Sequence, residues 1–278
     1  MISIITPVLE GERHIEGCLH NVLEQDCAEC EHIIVDGGSK DSTVEIVRRF
    51  AEQHRRVRWI SEPDRGQSDA MNKGTALARG KIIGVLNVDD FYEPGVLNRV
   101  AGLFRGRPEP SLLVGNCKLW DANGRLIRVD KPSNLNLFDM LIGMTGHPLN
   151  PASYFYHKSL HDGVGGYDLN EHQALDLDFL LKARRIGHAF YFDEDWGNWR
   201  LLPDAKTYAS EAAGMIEPKI ESLRRLHRAR LPQPTRAAAE IAARLCRRRW
   251  ARSVYFHSKH PIIGAKKLRD LARSLATR

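Results

Sequence analysis

Two adjacent carboxylates follow a short apolar segment, and they are the residues of this chain best suited to chemistry. Residues 84–88 are mostly apolar, and Asp89 and Asp90 come directly after them. A buried strand that ends in two acids places hard oxygen ligands where open α/β sheets bind their ligands. The pair therefore predicts a site for a divalent cation and a phosphate. The alternative is that Asp90 caps a helix beginning near Pro94.

Two further polar segments follow earlier β-rich runs. The first begins with Asp36 and contains Gly38, which lets the backbone approach a ligand closely. The second, residues 62–74, contains Arg65 and Lys73, whose positive charges could meet a diphosphate. Both segments are expected at the same edge of a sheet as the acidic pair.

Apolar β-rich runs alternate with runs of helical spacing in the first ninety residues. This alternation predicts an α/β fold with a Rossmann-like, mostly parallel sheet flanked by helices. Two β-rich arms around Asn123-Gly124 predict a hairpin added to that sheet over residues 111–130. Neither a dinucleotide fingerprint nor a P-loop follows the first run. The β-rich runs are residues 2–8, 31–35, 57–61 and 81–88.

Five segments, in this order and spacing, resemble the family 2 glycosyltransferases of the GT-A fold. The likeness is densest over residues 2–100 and thinner to about residue 200, with none seen beyond. The resemblance implies a GT-A catalytic domain and an enzyme that uses a nucleotide-sugar. The matching segments are Ile4-Ile5-Thr6-Pro7-Val8, Val35-Asp36-Gly37-Gly38-Ser39-Lys40-Asp41-Ser42-Thr43, Glu62-Pro63-Asp64-Arg65-Gly66, Asp69-Ala70-Met71-Asn72-Lys73-Gly74 and Asn87-Val88-Asp89-Asp90.

The resemblance also implies roles for individual residues. Asp90 is implied to bind Mg²⁺ or Mn²⁺ directly, and Asp89 is implied to be the second metal-binding acid and to face the ribose or donor sugar. One departure is Leu9-Glu10, where the family usually has a tyrosine or similar residue followed by asparagine. The implied nucleotide-sugar-binding residues are Pro7, Glu10, Asp36, Gly38, Asp64, Arg65, Lys73 and Asp89.

A hydroxyl that attacks a sugar must lose a proton, so a base is expected further along the chain. Residues 171–182 predict a helix on which Asp176 and Asp178 point about 200° apart, so only one should face the site. The resemblance implies that Asp176 is the catalytic base, although Leu175 stands where the family has a glutamate. The alternative is that acids at a helix start complement the helix dipole.

The acceptor side is predicted to include His147, Asp178 and Trp199. His147 lies in a segment that resembles the histidine-containing acceptor segment of many relatives, and it could orient an acceptor hydroxyl or act as a loop hydrogen-bonding group. Trp196 and Trp199 lie where relatives often have a loop over the donor. Their indole rings could stack on a sugar or form a hydrophobic plug.

Charge divides the chain into two regions. Residues 1–210 hold 24 Lys and Arg against 30 Asp and Glu, a formal charge of −6, whereas residues 211–278 hold 17 against 5, a formal charge of +12. We predict a catalytic domain over residues 1–210, with a donor half at about 1–100 and an acceptor half at about 101–210. A basic helical C-terminal extension is predicted over residues 211–278.

The extension interleaves arginines with aromatic and aliphatic residues over residues 235–278. This pattern favours docking on an anionic membrane surface. The alternative is that the helices pack on the core or on a second subunit of a homo-oligomer. Nucleic acid is not an expected partner, because the sequence has no recognised reader motif and the core is acidic.

Composition agrees with an intracellular enzyme. The 278 residues, 42% of them hydrophobic, can bury a full core. Five cysteines, an odd number, predict reduced thiols rather than a disulfide framework. Met1 leads straight into the first β-rich run without a basic leader, and no apolar stretch is long enough to span a bilayer. We therefore expect a cytoplasmic protein, with peripheral attachment to the inner face of the cytoplasmic membrane as an option.

Together with the acidic pair and the expected base, the resemblance implies an inverting, metal-dependent glycosyltransferase that moves a sugar from a nucleotide-sugar to a carbohydrate or glycolipid acceptor in cell-surface glycan synthesis. A UDP-sugar is the favoured donor, with GDP- and dTDP-sugars as alternatives. Leu175 and Glu10 leave open a sugar-nucleotide-binding protein without turnover. A nucleotidyltransferase shares the sheet and the metal carboxylates, but the glycine- and arginine-rich loop expected after its first strand is missing.

Overall fold

The structure is a computed structural model that describes residues 1–132, 135–144, 146–202 and 216–259. The strands are β1 (Ile2–Val8), β2 (Cys30–Asp36), β3 (Val57–Ser61), β4 (Ile82–Val85), β5 (Phe91–Tyr92), β6 (Ser111–Trp120), β7 (Leu126–Asp130), β8 (Tyr154–His157) and β9 (His188–Arg200). The α-helices are α1 (Ile15–Leu23), α2 (Thr43–Gln53), α3 (Gln67–Leu77), α4 (Val96–Phe104), α5 (Leu137–Ile142), α6 (Lys158–Val164), α7 (Leu175–Ile186), α8 (Ile216–Ala229) and α9 (Thr235–Lys259).

The strands form one sheet in the order β3-β2-β1-β4-β8-β6-β9-β5, with β7 paired to β6. Strands β1 to β4 pair in parallel, so their carboxyl ends meet at one edge. Beyond β4 the sheet is mixed, because β8 runs antiparallel to both β4 and β6 while β9 runs parallel to β6. The predicted α/β sheet flanked by helices is confirmed, and its all-parallel part, β1 to β4, lies within residues 2–85.

Burial explains why β1, β2 and β4 could be predicted from the sequence. Strands β1, β2 and β4 are buried along their whole length, so they need apolar residues on both faces rather than on alternate positions. Helix α3 covers β1 closely because Gly74 has no side chain. A Cβ atom at Gly74 would lie 2.4 Å from Cγ2 of Ile5. This packing fixes the position of α3 against β1. Gln67, the first residue of α3, lies at the edge of the sheet where the carboxyl ends of the parallel strands meet.

The predicted hairpin is confirmed. Strands β6 and β7 pair antiparallel, and the connection between them contains Asn123 and Gly124. Gly124 has a φ of +75°, a left-handed conformation that glycine adopts without strain.

Helices α8 and α9 pack on the preceding part of the chain. Ala239 and Ala243 of α9 are buried against Ile142 of α5, and α8 contacts α5 and α7. The predicted boundary at residues 210 and 211, and residues 260–278, lie outside the described residues. Within the described ranges, no helix combines the length and the apolar character needed to cross a membrane. The five cysteines are free thiols, as predicted.

Candidate active site

A cleft lies at the edge of the sheet where β1 and β4 end. Its volume is about 430 Å³, and the segments that follow these two strands line it. We call this space the donor cavity. The residues predicted for the nucleotide-sugar and metal that line it are Pro7, Glu10, Asp64, Asp89 and Asp90.

Asp90 is the buried member of the acidic pair. Its Oδ2 accepts hydrogen bonds from Asn150 Nδ2 at 2.7 Å and Asn87 Nδ2 at 3.0 Å, and its Oδ1 accepts one from the backbone N–H of Arg200 at 3.1 Å. Burial, and next the charge of Asp89, raise the pKa of Asp90 above its usual range. Helix α4 begins without a side-chain cap, so Asp90 does not act as its cap.

The acidic pair has the donor chemistry that Mg²⁺ or Mn²⁺ requires. The carboxylate oxygens of Asp89 and Asp90 are hard ligands, and a cation would offset the repulsion that raises the pKa of Asp90. In the parts of the chain that the structure describes, no group of three or more His, Cys, Asp or Glu side chains could hold a metal. Mg²⁺ is commonly bound through one or two carboxylates together with phosphate oxygens and water, and two acids are compatible with such a site.

Asp36 holds its own loop together. Its Oδ1 accepts a hydrogen bond from Ser39 Oγ at 2.5 Å, and its Oδ2 accepts bonds from the N–H groups of Gly38 and Ser39 and from Ser61 Oγ. Neither Asp36 nor Gly38 is among the residues that line the donor cavity. Their effect on the cavity is therefore through the shape of the loop.

The same loop forms two hydrogen bonds with Glu10, and Glu10 lines the donor cavity. The backbone N–H of Glu10 donates to Ser39 Oγ at 2.8 Å, and Glu10 Oε1 accepts from the N–H of Lys40 at 2.8 Å. Glu10 has a φ of +53°, a left-handed conformation that asparagine tolerates better than glutamate. The left-handed conformation explains in physical terms why the family that this sequence resembles usually has asparagine at this position.

Arg65 and Lys73, predicted to meet a diphosphate, are not among the residues that line the donor cavity. Lys73 Nζ lies 2.8 Å from Glu62 Oε1 and donates to the carbonyl oxygen of Pro63 at 3.0 Å. The exposed guanidinium of Arg65 lies 3.8 Å from a carboxylate oxygen of Asp69. Each cation is thus paired with an acid of its own segment.

A second cavity, of about 220 Å³, adjoins the donor cavity. Gln67, Asn87 and Trp199 line both spaces. Asp176 and His147 line the second one, which we call the acceptor cavity. The fold thus brings the residue predicted as the base and the predicted metal pair to neighbouring spaces, although they come from distant parts of the chain.

Asp176 lies in the first turn of α7. The Tyr154 hydroxyl donates a hydrogen bond to Asp176 Oδ1 at 2.5 Å, and the Tyr167 hydroxyl lies 3.1 Å from that of Tyr154. Burial raises the pKa of Asp176 to about 6, against the opposing effect of the Tyr154 bond. A carboxylate with this pKa is ionised at neutral pH and more basic than an ordinary aspartate, which suits a general base.

The structure corrects the prediction for Asp178, which does not face the acceptor cavity. Its Oδ1 lies 2.9 Å from His227 Nε2 on α8, and its Oδ2 lies 2.5 Å from Lys182 Nζ. Burial would raise the pKa of Asp178, but the bonds from His227 and Lys182 outweigh that effect and lower it. The two acids of α7 diverge as helix geometry requires. Asp176 faces the cavity, and Asp178 holds α7 to α8.

His147 and Trp199 both line the acceptor cavity. Burial, with the nearby charge of Arg224, lowers the pKa of His147 to about 3, so its imidazole is neutral at physiological pH and can hydrogen-bond a hydroxyl. Trp196, by contrast, is buried in the core, with its ring centroid 5.9 Å from that of Phe155. Of the two predicted tryptophans, Trp199 lines both cavities, and Trp196 is part of the hydrophobic core.

Sequence reasoning missed the residues that hold the two functional acids in place. Asn150, which bonds Asp90, lies 60 residues away in the chain, and Tyr154 lies 22 residues before Asp176. Gln67, at the junction of the two cavities, was also missed. No local motif marks these residues, because their role depends on which strands become neighbours.

Comparison with known proteins places the chain among glycosyltransferases. The family model described as Glycosyl transferase family 2 matches residues 3–152. A PGL/p-HBAD biosynthesis glycosyltransferase of Mycobacterium bovis is 34% identical over 186 residues, which are 66% of this chain and 69% of that protein. Chondroitin synthase of Escherichia coli is 35% identical over 192 residues, which are 67% of this chain and 27% of that protein.

Solved structures share the fold at low sequence identity. S. aureus TarS 1-349 in complex with UDP-GlcNAc has a TM-score of 0.64 and 17% identity, covering 87% of this chain and 70% of that one. Mannosyltransferase PcManGT from Pyrobaculum calidifontis, in complex with GDP-Man and Mn²⁺, has a TM-score of 0.57 and 19% identity, covering 99% and 86%.

The structural neighbours show the GT-A fold, and the family model and the curated relatives show that the chain is a glycosyltransferase. Within that class, the chain belongs to glycosyl transferase family 2, because the family model matches more than half of its residues. The resemblance seen in the sequence is thereby confirmed.

Proposed function

We propose that this protein is an inverting glycosyltransferase that depends on Mg²⁺ or Mn²⁺ and transfers a sugar from a nucleotide-sugar to a hydroxyl of a glycan or lipid-linked acceptor. One observation supports this most directly. Asp176, with its pKa raised to about 6, lines a cavity that shares Gln67, Asn87 and Trp199 with the cavity that Asp89 and Asp90 line. A base and a leaving-group site thus adjoin.

In this proposal Asp176 takes the proton from the acceptor hydroxyl. Its Oδ1 already accepts a hydrogen bond from Tyr154, which leaves Oδ2 for the incoming proton. The acceptor oxygen forms a bond to the anomeric carbon while the bond from that carbon to the diphosphate oxygen breaks. Because one displacement attacks the face opposite the leaving group, the anomeric configuration inverts. General base catalysis of this kind contributes about 10²- to 10⁴-fold to a rate.

Asp89 and Asp90 are the proposed metal-binding residues. A divalent cation, when bound, offsets the negative charge that develops on the departing diphosphate. Asn150 and Asn87 orient the Asp90 carboxylate through the two hydrogen bonds to Oδ2. Within the described residues Oδ1 accepts one hydrogen bond, from the backbone N–H of Arg200, and it is thus the less occupied oxygen.

The nucleoside is proposed to lie in the donor cavity against Pro7, Glu10 and Asp64, which line it. TarS was solved with UDP and with UDP-GlcNAc, and PcManGT was solved with GDP-Man. Neighbours of the same fold therefore bind nucleotide-sugars of two base types. We favour a UDP-sugar for this chain, with GDP- and dTDP-sugars as the alternatives to be tested beside it.

We further propose that the protein is cytoplasmic and docks on the inner face of the cytoplasmic membrane through α9. Ile241 and Leu245, one helical turn apart, are 60% and 59% exposed, and the region from residue 211 onward has a formal charge of +12. Named relatives serve PGL/p-HBAD biosynthesis and chondroitin synthesis. A role in cell-surface glycan synthesis, with an acceptor carried on lipid at the membrane, would suit such a surface.

Nucleotide binding tests the donor site. UDP, GDP and dTDP are each added with and without Mn²⁺, and thermal unfolding is followed. At about 100 times its dissociation constant a ligand stabilises the folded state by about 2.7 kcal/mol, which raises the melting temperature of a protein of this size by about 5 °C. We expect such a shift from one nucleotide, dependent on Mn²⁺ and lost in Asp90→Asn.

Turnover tests the chemistry separately. Asp176→Asn should reduce sugar transfer about 10²- to 10⁴-fold while keeping the nucleotide-induced shift. A shift without turnover in the wild type would favour the sugar-nucleotide-binding protein. Release of pyrophosphate from a nucleoside triphosphate would favour the nucleotidyltransferase, and no shift from any nucleotide would remove the donor-site assignment.

A further inference from the structure

Helix α8 places one of its side chains in the acceptor cavity. Ile220 is half-buried and lines this cavity together with Asp176 and His147. It also packs against the largest group of buried hydrophobic residues, which includes several from α7. The region after residue 210, predicted from the sequence as a separate basic extension, thus supplies part of the wall around the space in which an acceptor would be bound.

Two side-chain contacts fix α8 against the segment that carries the base, one on either side of Ile220 in the chain. Lys219 Nζ lies 3.1 Å from Glu171 Oε2, and Oε1 of Glu171 accepts two backbone N–H groups just before α7. His227 Nε2 lies 2.9 Å from Asp178 Oδ1. Both acids are buried, so these contacts hold α8 at a fixed distance from α7.

A third anchor joins α8 to two other helices. Arg228 is fully buried, and its Nη1 donates to the carbonyl oxygen of Leu141 in α5 at 2.7 Å. The same guanidinium donates to Glu221 at 2.7 Å and to Glu240 of α9 at 3.1 Å. A helix held to α5, α7 and α9 is a rigid support. The position of Ile220 in the cavity wall is therefore set by the fold.

We propose that α8 is the acceptor-selecting element of this enzyme and that Ile220 is its specificity-determining residue, an inference that rests on the proposed transferase function. A fixed apolar side chain discriminates among ligands by shape, and one methylene group in such a pocket changes discrimination about 10- to 200-fold. The family model match ends at residue 152, before α7 and α8. The part of the wall that α7 and α8 supply thus lies outside the matched region, which suits a role in choosing the acceptor rather than in binding the donor.

Substitutions at Ile220 in the full-length protein test this role, with Leu226→Trp as the matched control. Leu226 lies on the same helix but is 53% exposed, and it is not among the residues that line either cavity. Transfer from the preferred nucleotide-sugar is measured to p-nitrophenyl and methyl glycosides of common hexoses. We expect Ile220→Trp to raise the KM for the best glycoside about tenfold or more, and Ile220→Ala to change the order of preference. Leu226→Trp should do neither.

The donor side provides the internal reference. The KM for the nucleotide-sugar and the Mn²⁺-dependent nucleotide shift should be unchanged in all three variants. Unchanged acceptor KM values and unchanged preference in both Ile220 variants would overturn the role of α8 and leave the transferase function intact. If the wild type binds a nucleotide-sugar but transfers to none of the glycosides, the proposed function fails and this inference fails with it.

Discussion

Asp176 owes its basicity to burial, because the fold raises its pKa to about 6 while the Tyr154 hydroxyl limits the rise. A base must be ionised, so we expect kcat to fall about tenfold per pH unit below pH 6 and to level off above pH 7. Removing the hydroxyl in Tyr154→Phe should raise the pKa of Asp176 further. The fall of kcat at low pH should then begin at a higher pH. A pH profile of kcat for both proteins checks this, and coincident limbs would contradict it.

The raised pKa of Asp176 also predicts that the Asp176→Asn variant, which should be inactive, is more stable than the wild type. The pKa of Asp176 is above the usual value of 3.8, so the folded state binds more protons than the unfolded state between about pH 4 and pH 6. Stability therefore falls as pH rises through this window. Above it, the loss of stability caused by ionising the buried Asp176 carboxyl group is complete. Asp176→Asn cannot ionise, and we expect it to gain about 2 kcal/mol in the free energy of unfolding at pH 7.5.

Urea unfolding at two pH values separates this electrostatic gain from other effects of the substitution. The gain of Asp176→Asn should be present at pH 7.5 and nearly absent at pH 4, where the folded wild type is already protonated. A gain of equal size at both pH values would mean that packing, not charge, is its source. A loss of stability at pH 7.5 would mean that Asp176 supports the fold, which would weaken its assignment as a base.

Single residues also show where sequence reasoning works and where it stops. The sequence pointed to Asp90 because it follows an apolar run and to Asp176 through the family resemblance; the structure brings both to the two cavities, and their roles stay predictions. Asn150 was not, because it meets Asp90 only after distant strands have paired. Lys73 shows the reverse case. Its charge is visible in the sequence, but its pairing with Glu62 is decided by geometry.

At the scale of elements, the attachment of α7 to α8 depends on a buried charge. Asp178 and Lys182 form an i,i+4 ion pair in which the Asp178 side chain is 5% exposed, and His227 adds a second contact. We expect Asp178→Ala to cost about 3 kcal/mol, because it leaves buried polar groups without their partner. The measurement is the free energy of unfolding in urea.

The chain contains a matched control for that prediction. Lys158 and Asp162 on α6 form an ion pair with the same i,i+4 spacing, but the Asp162 side chain is 61% exposed. Because solvent screens exposed pairs, Asp162→Ala should change stability by less than about 0.5 kcal/mol. Equal losses from the two substitutions would show that helix spacing, rather than burial, sets the strength of the Asp178 contact.

The elements differ in how well the sequence announces them. Strands β1, β2 and β4 were predicted because buried parallel strands are rich in apolar residues, and the half-buried β3 was predicted from its β-rich residues. Strand β9 was not predicted, since its thirteen residues alternate irregularly between exposed and buried positions. Helix α7 begins at Leu175 rather than at residue 171, because Glu171 accepts the N–H groups of the two residues before the helix and closes a turn there.

At the scale of the whole molecule, charge and exposed apolar surface coincide at the C-terminal end. Ile241 and Leu245 are exposed on α9 on either side of Arg244, whereas residues 1–210 have a formal charge of −6. An acidic body and a basic end orient a molecule toward an anionic bilayer, because each basic residue near such a surface contributes about 1 kcal/mol. We therefore expect full-length protein to bind vesicles that contain phosphatidylglycerol, and to bind neutral phosphatidylcholine vesicles weakly.

Salt and substitution together distinguish a membrane surface from a protein interface. Binding to anionic vesicles should weaken as NaCl rises, because salt screens exposed charges. Replacing both Ile241 and Leu245 by Asp should weaken it about tenfold or more, since two apolar side chains can no longer be buried. The matched control replaces Leu126 and Ile127, an exposed apolar pair on β7, and should bind normally. If the wild type is instead a stable dimer in solution that the α9 double variant dissociates, and vesicles do not compete with that dimer, then the exposed face of α9 is covered by a second copy of the chain rather than by lipid.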